Sequence, residues 1–429
     1  MMSSKTSPTP RTLTPEQDDA VTRLYNYDHT ILVAPTGAGK TVIALTGIHQ
    51  LIADHHLHKV IVAAPAKVIE KMIWLDEMCK WQHLRGMRAI QLEGNSQQRI
   101  KTLLANEAEI VLVSLNNLDW LLKQDHECDG IVIDELSKAA GKWTKGLKSK
   151  KLCERLIWRC GMTATPVSQS YEKLFSLARI IDGGLALGTN KQAYLNAYFD
   201  SDYMGYNLTL KGFADAQIMS KVASLVHLVT DNKVKVLPEL REWVIKFDMP
   251  AKTREIYNEM KKHMVVEDRE SPNQAVKSGV LRQIASGFYY RDGESQKSDP
   301  VRLDTARADA ALYWAKGLKG EPGIVFYEFV QQLVQLEELP DNILRAQIQS
   351  MSHGIDGLQN TYDSVCFLQP PWSRDQQEQS IGRVWRTGQT KPVTVTTLIC
   401  NDTLDELVMA RVEDRAKWMV LFKQHLEEN

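Results

Sequence analysis

A glycine-rich turn near the start of the chain constrains the fold more than any other segment does. The stretch around it, residues 30–52, reads TILVAPTGAGKTVIALTGIHQLI. A short β-branched apolar run precedes the turn, and after it Ala, Leu and Ile recur at steps of three and four residues, which is the helical period. The pattern predicts a strand, a loop and a helix in that order, which is the context that a phosphate-binding loop requires.

The loop itself carries the residue types that binding of a nucleoside triphosphate needs. Gly37 and Gly39 allow backbone N–H groups to converge on phosphate oxygens. Lys40 can reach the outer phosphates, and the hydroxyl of Thr41 can hold Mg²⁺. One position departs from the usual pattern, because Ala34 stands where the first glycine is expected. Since the loop lies between a strand and a helix, we expect a nucleoside triphosphate to bind here.

The composition limits the class of protein. With 429 residues, the chain is too long for a single ordinary core and fits two or three domains. Hydrophobic residues make up 43% and charged residues 24% of the chain, which is typical of a soluble globular protein. The formal net charge of -1 provides no overall basic field, so contact with nucleic acid would depend on a local cleft.

Several other classes of protein are not expected. The six cysteines include no C-x-x-C pair and have no nearby histidine at metal-ligand spacing, so neither a zinc site nor a disulfide framework is predicted. No apolar run reaches the roughly 18 residues of a membrane span, and no membrane partner is predicted. Residues 1–11 are rich in Ser, Thr and Pro and are predicted to be a disordered lead-in. We therefore expect a cytoplasmic protein.

Three further apolar runs follow the loop: KVIVAAP from Lys59, EIVLVSL from Glu109 and GIVIDEL from Gly130. Each run is continuous and does not alternate with polar residues, which is typical of strands buried on both faces of a parallel α/β sheet. Asp134 and Glu135 fall at the carboxyl end of the third run, where ligands bind in open α/β sheets. We expect Asp134 to hold the Mg²⁺ shell and Glu135 to orient or deprotonate an attacking water.

The order of motifs along the chain resembles that of superfamily-two helicases. The loop and the Asp-Glu pair are followed by CGMTATP from Cys160 and by QSIGRVWRTGQT from Gln379. In the second of these segments, Gln379, Gly382, Arg383 and Arg386 match the family pattern Q-x-x-G-R-x-x-R. The resemblance implies that the two arginines cross from a second RecA-like lobe to the γ-phosphate held by the first. Taken alone, such a pair also fits a solvated basic turn at the end of a helix.

The pair Gly388 and Gln389 narrows the resemblance to Swi/Snf-related ATP-dependent DNA translocases, whose motif closes in R-x-G-Q. Segments with matching patterns extend from about residue 13 to about residue 407. Two departures stand out, because Ser137 replaces the usual histidine of the acidic box and residues 350–360 differ from the A-G-G-x-G-x-N pattern. Without the large insertions of eukaryotic remodellers, the chain resembles a minimal motor of bacterial or bacteriophage type.

The resemblance implies an α/β fold of two tandem RecA-like lobes, residues 12–235 and 236–429, each a mostly parallel sheet with helices on both faces. It implies ATP and Mg²⁺ as cofactors and an adenine-reading role for Gln17. The implied ATP-binding residues are Gln17, Pro35, Thr36, Gly37, Ala38, Gly39, Lys40, Thr41 and Gly357. The implied Mg²⁺ ligands are Thr41 and Asp134, and the implied catalytic residues are Lys40, Asp134, Glu135, Gln379, Arg383 and Arg386.

Candidate DNA contacts come from polar loop residues and from one lysine-rich segment. Ser114, Asn116, Ser352 and His353 are placed along a DNA groove by the resemblance. The segment KAAGKWTKGLKSKK, residues 138–151, includes Lys145 and Lys148 and fits either phosphate contact or a solvated face. Contacts of these kinds reach sugar and phosphate, so no preference for a DNA sequence is expected.

Together these features predict an ATP-dependent DNA helicase or translocase that couples ATP hydrolysis to movement on DNA or to its remodelling. Its expected partner is duplex DNA, in the cytoplasm of a bacterial cell or of a phage-infected host, and protein partners in replication, recombination or transcription are left open. The alternative is an ATP-gated switch that binds nucleic acid or a polymerase without processive translocation. Whether the DNA strands are separated is not predicted.

Overall fold

The computed structural model describes residues 12–35, 37–105, 107–124, 126–140, 154–164, 171–201, 208–229, 237–266, 274–290, 300–348, 357–386, 388–410 and 412–413. The described residues divide into two compact units, one within Met1–Lys235 and the other within Val236–Lys417. Each unit contains a parallel sheet flanked by helices, which confirms the predicted α/β fold class. The predicted lead-in, residues 1–11, and the predicted extension of the second lobe to residue 429 lie outside the described residues.

The first unit is built on a sheet of seven strands in the described part of the chain, in the order β3-β4-β2-β5-β6-β1-β9. All neighbouring strands in this sheet are parallel. The strands are β1 (His29–Val33), β2 (Val60–Ala64), β3 (Ala89–Gln91), β4 (Ile110–Ser114), β5 (Gly130–Asp134), β6 (Trp158–Thr163) and β9 (Val226–Leu228). A separate antiparallel pair consists of β7 (Phe199–Ser201) and β8 (Leu208–Leu210). The three apolar runs predicted to be strands are β2, β4 and β5.

Helices cover both faces of this sheet. They are α1 (Pro15–Asn26), α2 (Lys40–Ala53), α3 (Ala66–Glu70), α4 (Ile73–Lys80), α5 (Ser96–Leu104), α6 (Leu115–Leu121), α7 (Tyr171–Asp182), α8 (Lys191–Tyr198) and α9 (Ala214–Val222), with 3-10 turns at Gln82–Leu84 and Leu136–Ala140. Successive residues of β2 alternate between two buried clusters, with Ile61 in one and Val60 and Val62 in the other. Side chains of a strand point alternately to its two faces, so both faces of the sheet are core. This explains why the strands are continuous apolar runs.

The second unit contains a sheet of five parallel strands in its described residues, in the order β10-β16-β15-β13-β14. The strands are β10 (Leu240–Phe247), β13 (Gly323–Tyr327), β14 (Ile343–Gln347), β15 (Ser364–Phe367) and β16 (Val393–Cys400), and an antiparallel pair is formed by β11 (Phe288–Tyr290) and β12 (Pro300–Arg302). The helices are α10 (Ala251–Val266), α11 (Gln274–Ala285), α12 (Ala306–Gly317), α13 (Val330–Gln335) and α14 (Arg374–Ile381), with a 3-10 turn at Leu358–Asn360. Among the described residues of either unit, no helix combines the length and the apolar character needed to cross a bilayer.

A buried ion pair connects several elements of the second unit. The guanidinium of Arg307, on α12, lies 2.5 Å from a carboxylate oxygen of Asp405, and both side chains are almost fully buried. Arg307 also donates to the carbonyl of Ala285 at the end of α11 and to the carbonyl of Leu368 after β15. The same Asp405 oxygen accepts from the backbone N–H of Cys400, the last residue of β16. The pair therefore joins two helices to the ends of two central strands.

Removing the charge of Asp405 should strongly destabilise the second unit. Asp405→Asn leaves the buried guanidinium of Arg307 without its counterion, and breaking such a pair costs about 3–5 kcal/mol of unfolding free energy. The neighbouring variant Glu406→Gln is the matched control, because Glu406 contacts Lys246 at 3.3 Å in an exposed pair, worth at most about 1 kcal/mol. Urea unfolding followed by circular dichroism measures both. Equal losses in the two variants would contradict a structural role for the buried pair.

Candidate functional site

The glycine-rich loop connects the carboxyl end of β1 to the first turn of α2. Gly37 and Gly39 have φ angles of 88° and 84°, in the left-handed region that side-chain-bearing residues rarely adopt. Gly39 is the N-cap of α2 and provides no side-chain hydrogen bond to its first turn. The backbone N–H groups of that turn therefore lack a side-chain cap, and they lie at the positive end of the helix dipole. Such a helix terminus favours an anion.

Gln17 links α1 to this loop. Its side-chain nitrogen donates to the carbonyl of Ala38 at 3.0 Å, and its side-chain oxygen accepts from the backbone N–H of Thr14 at 3.0 Å. A Cβ atom added at Gly39 would lie 2.5 Å from the Gln17 side-chain nitrogen, so the two residues are in close contact. The amide is thus bonded to backbone on both sides. The adenine-reading role of Gln17 stays a prediction.

The ammonium group of Lys40 lies within the loop. It donates to the carbonyls of Ala34 at 2.9 Å and Pro35 at 3.2 Å. Burial lowers the pKa of Lys40, while the charges of Glu135 and Asp134 act in the opposite direction. A cation in these surroundings is stabilised by additional negative charge, which phosphate oxygens would supply.

The two acidic residues follow directly from the third predicted strand. Asp134 ends β5 and is paired in register with Met162 of β6. Burial and the neighbouring charge of Glu135 raise the pKa of the Asp134 carboxyl to about 6. The charge of Lys40 acts in the opposite direction. Glu135 has a φ of 57°, in the left-handed region. For a residue other than glycine this conformation costs of order 1–3 kcal/mol and is concentrated at functional sites.

The donor set fits Mg²⁺ bound together with substrate phosphates. Mg²⁺ prefers oxygen ligands and is usually held by one or two carboxylates plus phosphates and water. The carboxylate of Asp134 and the hydroxyl of Thr41, in the first turn of α2, are ligands of this kind. Among the described residues, no group of three or more His, Cys, Asp or Glu side chains could form a cage for a metal ion. Thr41 and Asp134 as Mg²⁺ ligands stay a prediction that this chemistry supports.

Other predicted site residues lie at the same edge of the first sheet. Ser114 is the last residue of β4, opposite Ala64 of β2, and Asn116 is exposed in the first turn of α6. Because the strands are parallel, their carboxyl ends bring these polar residues to the edge that carries the loop and the acidic pair. Predicted residues outside the described part of the chain are Thr36, Lys145, Lys148, Ser352 and His353.

The predicted arginine pair follows α14 in the second unit. The helix ends at Ile381, so Arg383 and Arg386 lie on the turn beyond it. Both arginines and Gln379 are half-buried. Backbone hydrogen bonds continue through this turn, including the bond from the Arg383 N–H to the Ser380 carbonyl. The spacing of the arginines is therefore set by a compact turn beyond a helix end.

The residues that close this motif fix the turn. The side-chain nitrogen of Gln389 donates to the carbonyl of Tyr362 at 2.9 Å, and its oxygen accepts from the backbone N–H of Lys391. Gly388 adopts a φ of 98°, which requires glycine-like freedom. The indole of Trp385 donates to the carbonyl of Pro238 at 2.7 Å. In the sequence the Gly-Gln pair is a family signature only, whereas the contacts indicate that Gln389 holds the arginine-bearing turn in place.

Gly357 is the remaining predicted ATP-binding residue within the described part of the chain. It precedes the 3-10 turn Leu358–Asn360 with a φ of 92°. This conformation explains the need for glycine at the position. Its contact with ATP stays a prediction.

The chain is similar to several known proteins. The family model described as the SNF2-related domain matches residues 17–287. Protein p41 of Acyrthosiphon pisum secondary endosymbiont phage 1 is 27% identical over 448 residues, covering 94% of this chain and 95% of that protein. The U5 small nuclear ribonucleoprotein 200 kDa helicase of Mus musculus is 22% identical over 232 residues, which is 52% of this chain and 11% of that protein. A solved structure, the Sulfolobus solfataricus SWI2/SNF2 ATPase core in complex with dsDNA, has a TM-score of 0.46 and 17% identity, covering 97% of this chain and 94% of that chain.

Because Gly39 is in contact with Gln17, Gly39→Ala should disturb the loop more than Gly37→Ala does. Gly39→Ala places a methyl group against the Gln17 amide at a left-handed position, so it combines a clash with backbone strain, which alone costs about 1–3 kcal/mol. Gly37→Ala is the matched control, because its φ is similar but a Cβ there would meet no atom within 4 Å. We expect both variants to lose unfolding free energy, and Gly39→Ala to lose more and to bind a fluorescent ATP analogue more weakly. If the two variants behave alike, the Gln17 contact does not shape the loop.

Proposed function

We propose that this chain, which belongs to the SNF2-related domain family, is a DNA-dependent ATPase that couples ATP hydrolysis to movement along duplex DNA. The observation that carries the proposal is the meeting of Lys40, Asp134 and Glu135 beside the uncapped start of α2. One cation and two carboxylates at the carboxyl edge of a parallel sheet are the groups that phosphoryl transfer to water needs.

In the proposed reaction, ATP binds with its phosphates against the loop. The ammonium of Lys40 leaves the carbonyls of Ala34 and Pro35 and binds the outer phosphates. Thr41 and Asp134 would hold Mg²⁺, which would supply positive charge against the charge of the phosphates. The loop N–H groups, already oriented by Gly37 and Gly39, need little rearrangement to bind phosphate oxygens.

Glu135 is proposed to orient the attacking water and to accept its proton. Its left-handed backbone differs from the extended backbone of the strand before it. The side chain of Glu135 therefore departs from the alternation of β5, although the residue follows Asp134 directly. This change of backbone conformation between the two residues supports different roles for the two acids, one toward the metal and one toward the water.

Arg383 and Arg386 are proposed to act on the γ-phosphate in the complex with ATP and DNA. Guanidinium groups stabilise the charge on a transferring phosphoryl group and bind its oxygens through a planar fork. Because these arginines belong to the second unit and Lys40 belongs to the first, hydrolysis would require the two units to close on the nucleotide. Gln389 supports this role, since it fixes the turn that carries Arg386.

DNA is the proposed partner of the same protein. Ser114 and Asn116 lie at the edge of the first sheet that carries the nucleotide loop, and polar side chains there can bind sugar and phosphate without reading bases. The roles of Lys145, Lys148, Ser352 and His353 in DNA binding remain proposals from the sequence. Cycles of closing and opening would move the units along the duplex.

Two assays on the wild-type protein test the proposed function together. ATP turnover is measured with and without saturating duplex DNA, and displacement of a third strand from a DNA triplex is measured under the same conditions. The proposal predicts DNA-stimulated turnover and ATP-dependent displacement. Stimulated turnover without displacement would favour the ATP-gated switch, and turnover indifferent to DNA would remove DNA from the mechanism.

Arg386→Ala should separate nucleotide binding from hydrolysis. Since the guanidinium acts mainly on charge in the transition state, we expect the affinity for ATP to stay within a few-fold while kcat falls by about 10³ or more. Lysine should rescue only part of the loss, because a flexible ammonium lacks the planar fork. Arg374→Ala is the control on α14, since Arg374 pairs with Glu378 at 2.9 Å. Turnover is measured with saturating duplex DNA. If Arg386→Ala hydrolyses ATP at the wild-type rate, the arginine pair is only a solvated basic turn and has no role in hydrolysis.

A further inference from the structure

One buried polar group beside the candidate site is not used by the proposed reaction. Trp74, on α4, is only 1% exposed and belongs to the same buried cluster as Val42 of α2 and Met162 of β6. Its indole N–H makes no hydrogen bond of acceptable geometry. Buried donors are rarely left in this state, and each such group in a native structure calls for a physical reason.

Two other indoles of the first unit have ordinary hydrogen-bond partners. Trp158 is also buried in this cluster, and its indole donates to the carbonyl of Leu24 at 3.0 Å. The indole of Trp81 donates to Glu77 at 2.8 Å. The fold therefore provides ordinary partners for neighbouring indoles, whereas the Trp74 N–H lacks one.

The carboxylate of Asp134 is the acceptor of the candidate site that lies beside this indole. Met162, which shares the cluster with Trp74, is the register partner of Asp134 across β5 and β6. The indole of Trp74 and the carboxyl of Asp134 lie within the range at which a hydrogen-bond donor acts on a carboxylate. The indole thus lies close to the carboxylate, although the geometry falls short of a hydrogen bond.

We propose that Trp74 is a positioning residue for Asp134, whose indole N–H donates to one carboxylate oxygen when Mg²⁺ and ATP are bound and thereby directs the other oxygen toward the metal. This inference rests on the proposed function, in which Asp134 holds Mg²⁺. Outer hydrogen bonds of this kind orient metal ligands and tune the affinity of the site. Since α4 packs against α2 and the indole is enclosed, the direction of its N–H is set by the core.

Two matched variants isolate the N–H group. Trp74→Phe keeps an aromatic ring in the core and removes only the donor and part of the ring system. Trp158→Phe makes the same change in the same cluster and loses a hydrogen bond to the backbone of α1, with no effect expected on Asp134. Circular dichroism and thermal unfolding establish that each variant is folded before binding is measured.

Binding of a fluorescent ATP analogue is titrated with Mg²⁺ in the absence of DNA. For Trp74→Phe we expect the Mg²⁺ concentration at half-saturation to rise about tenfold, while analogue affinity at saturating Mg²⁺ stays within a few-fold. Trp158→Phe should keep the wild-type Mg²⁺ dependence. ATP turnover by Trp74→Phe should recover as Mg²⁺ is raised, since the defect lies in holding the ion.

The wild-type protein supplies a second measurement that does not depend on the folding of a variant. The indole ¹⁵N–¹H resonance of Trp74 should move downfield when Mg²⁺ and nucleotide are added, as its hydrogen bond forms. An unchanged resonance, an unchanged Mg²⁺ half-saturation in Trp74→Phe, or an equal change in Trp158→Phe would overturn the inference. Wild-type nucleotide binding without any Mg²⁺ dependence would instead overturn the proposed metal site itself, so the two failures are distinguishable.

Discussion

In the proposed function, the strongest physical constraint on the first unit is the charge of a bound triphosphate, which must be met by a small number of buried groups. The backbone at the start of α2 supplies oriented N–H groups, and Lys40 supplies a full positive charge. In this arrangement Gly39 has a left-handed conformation and lies in close contact with Gln17. The parallel sheet, buried on both faces, provides the rigid edge on which these groups are held.

The charges of the site are unbalanced in the protein alone. Asp134 and Glu135 lie near one cation, Lys40, and burial disfavours the charged form of both Asp134 and Lys40. A triphosphate would add negative charge near Lys40, and its divalent cation would add positive charge near the two carboxylates. The nucleotide and the ion would therefore complete an electrostatic arrangement that the protein leaves open, and binding of one would favour binding of the other.

Much of this site could be predicted from the sequence because it depends on local patterns. Continuous apolar runs identified β2, β4 and β5, and the polar residues at their ends followed from strand direction. The contacts of Gln17 with Ala38, of Gln389 with Tyr362 and of Arg307 with Asp405 could not be predicted in this way. Each joins residues far apart in the chain, and a single sequence contains no periodic signal for such pairs. Trp74 and Asp134 are likewise separated in sequence by β3, β4 and most of β5, so only the fold reveals their proximity.

In the proposed function, hydrolysis at this site is coupled to movement along DNA. The most direct test is the rate of ATP turnover on linear duplexes of increasing length, each at a saturating concentration. A protein that advances with each hydrolysis reaches the end of a short duplex quickly and must rebind, so turnover is predicted to rise with length and then level off. Equal turnover on the shortest duplex that binds and on one many times longer would contradict the coupling.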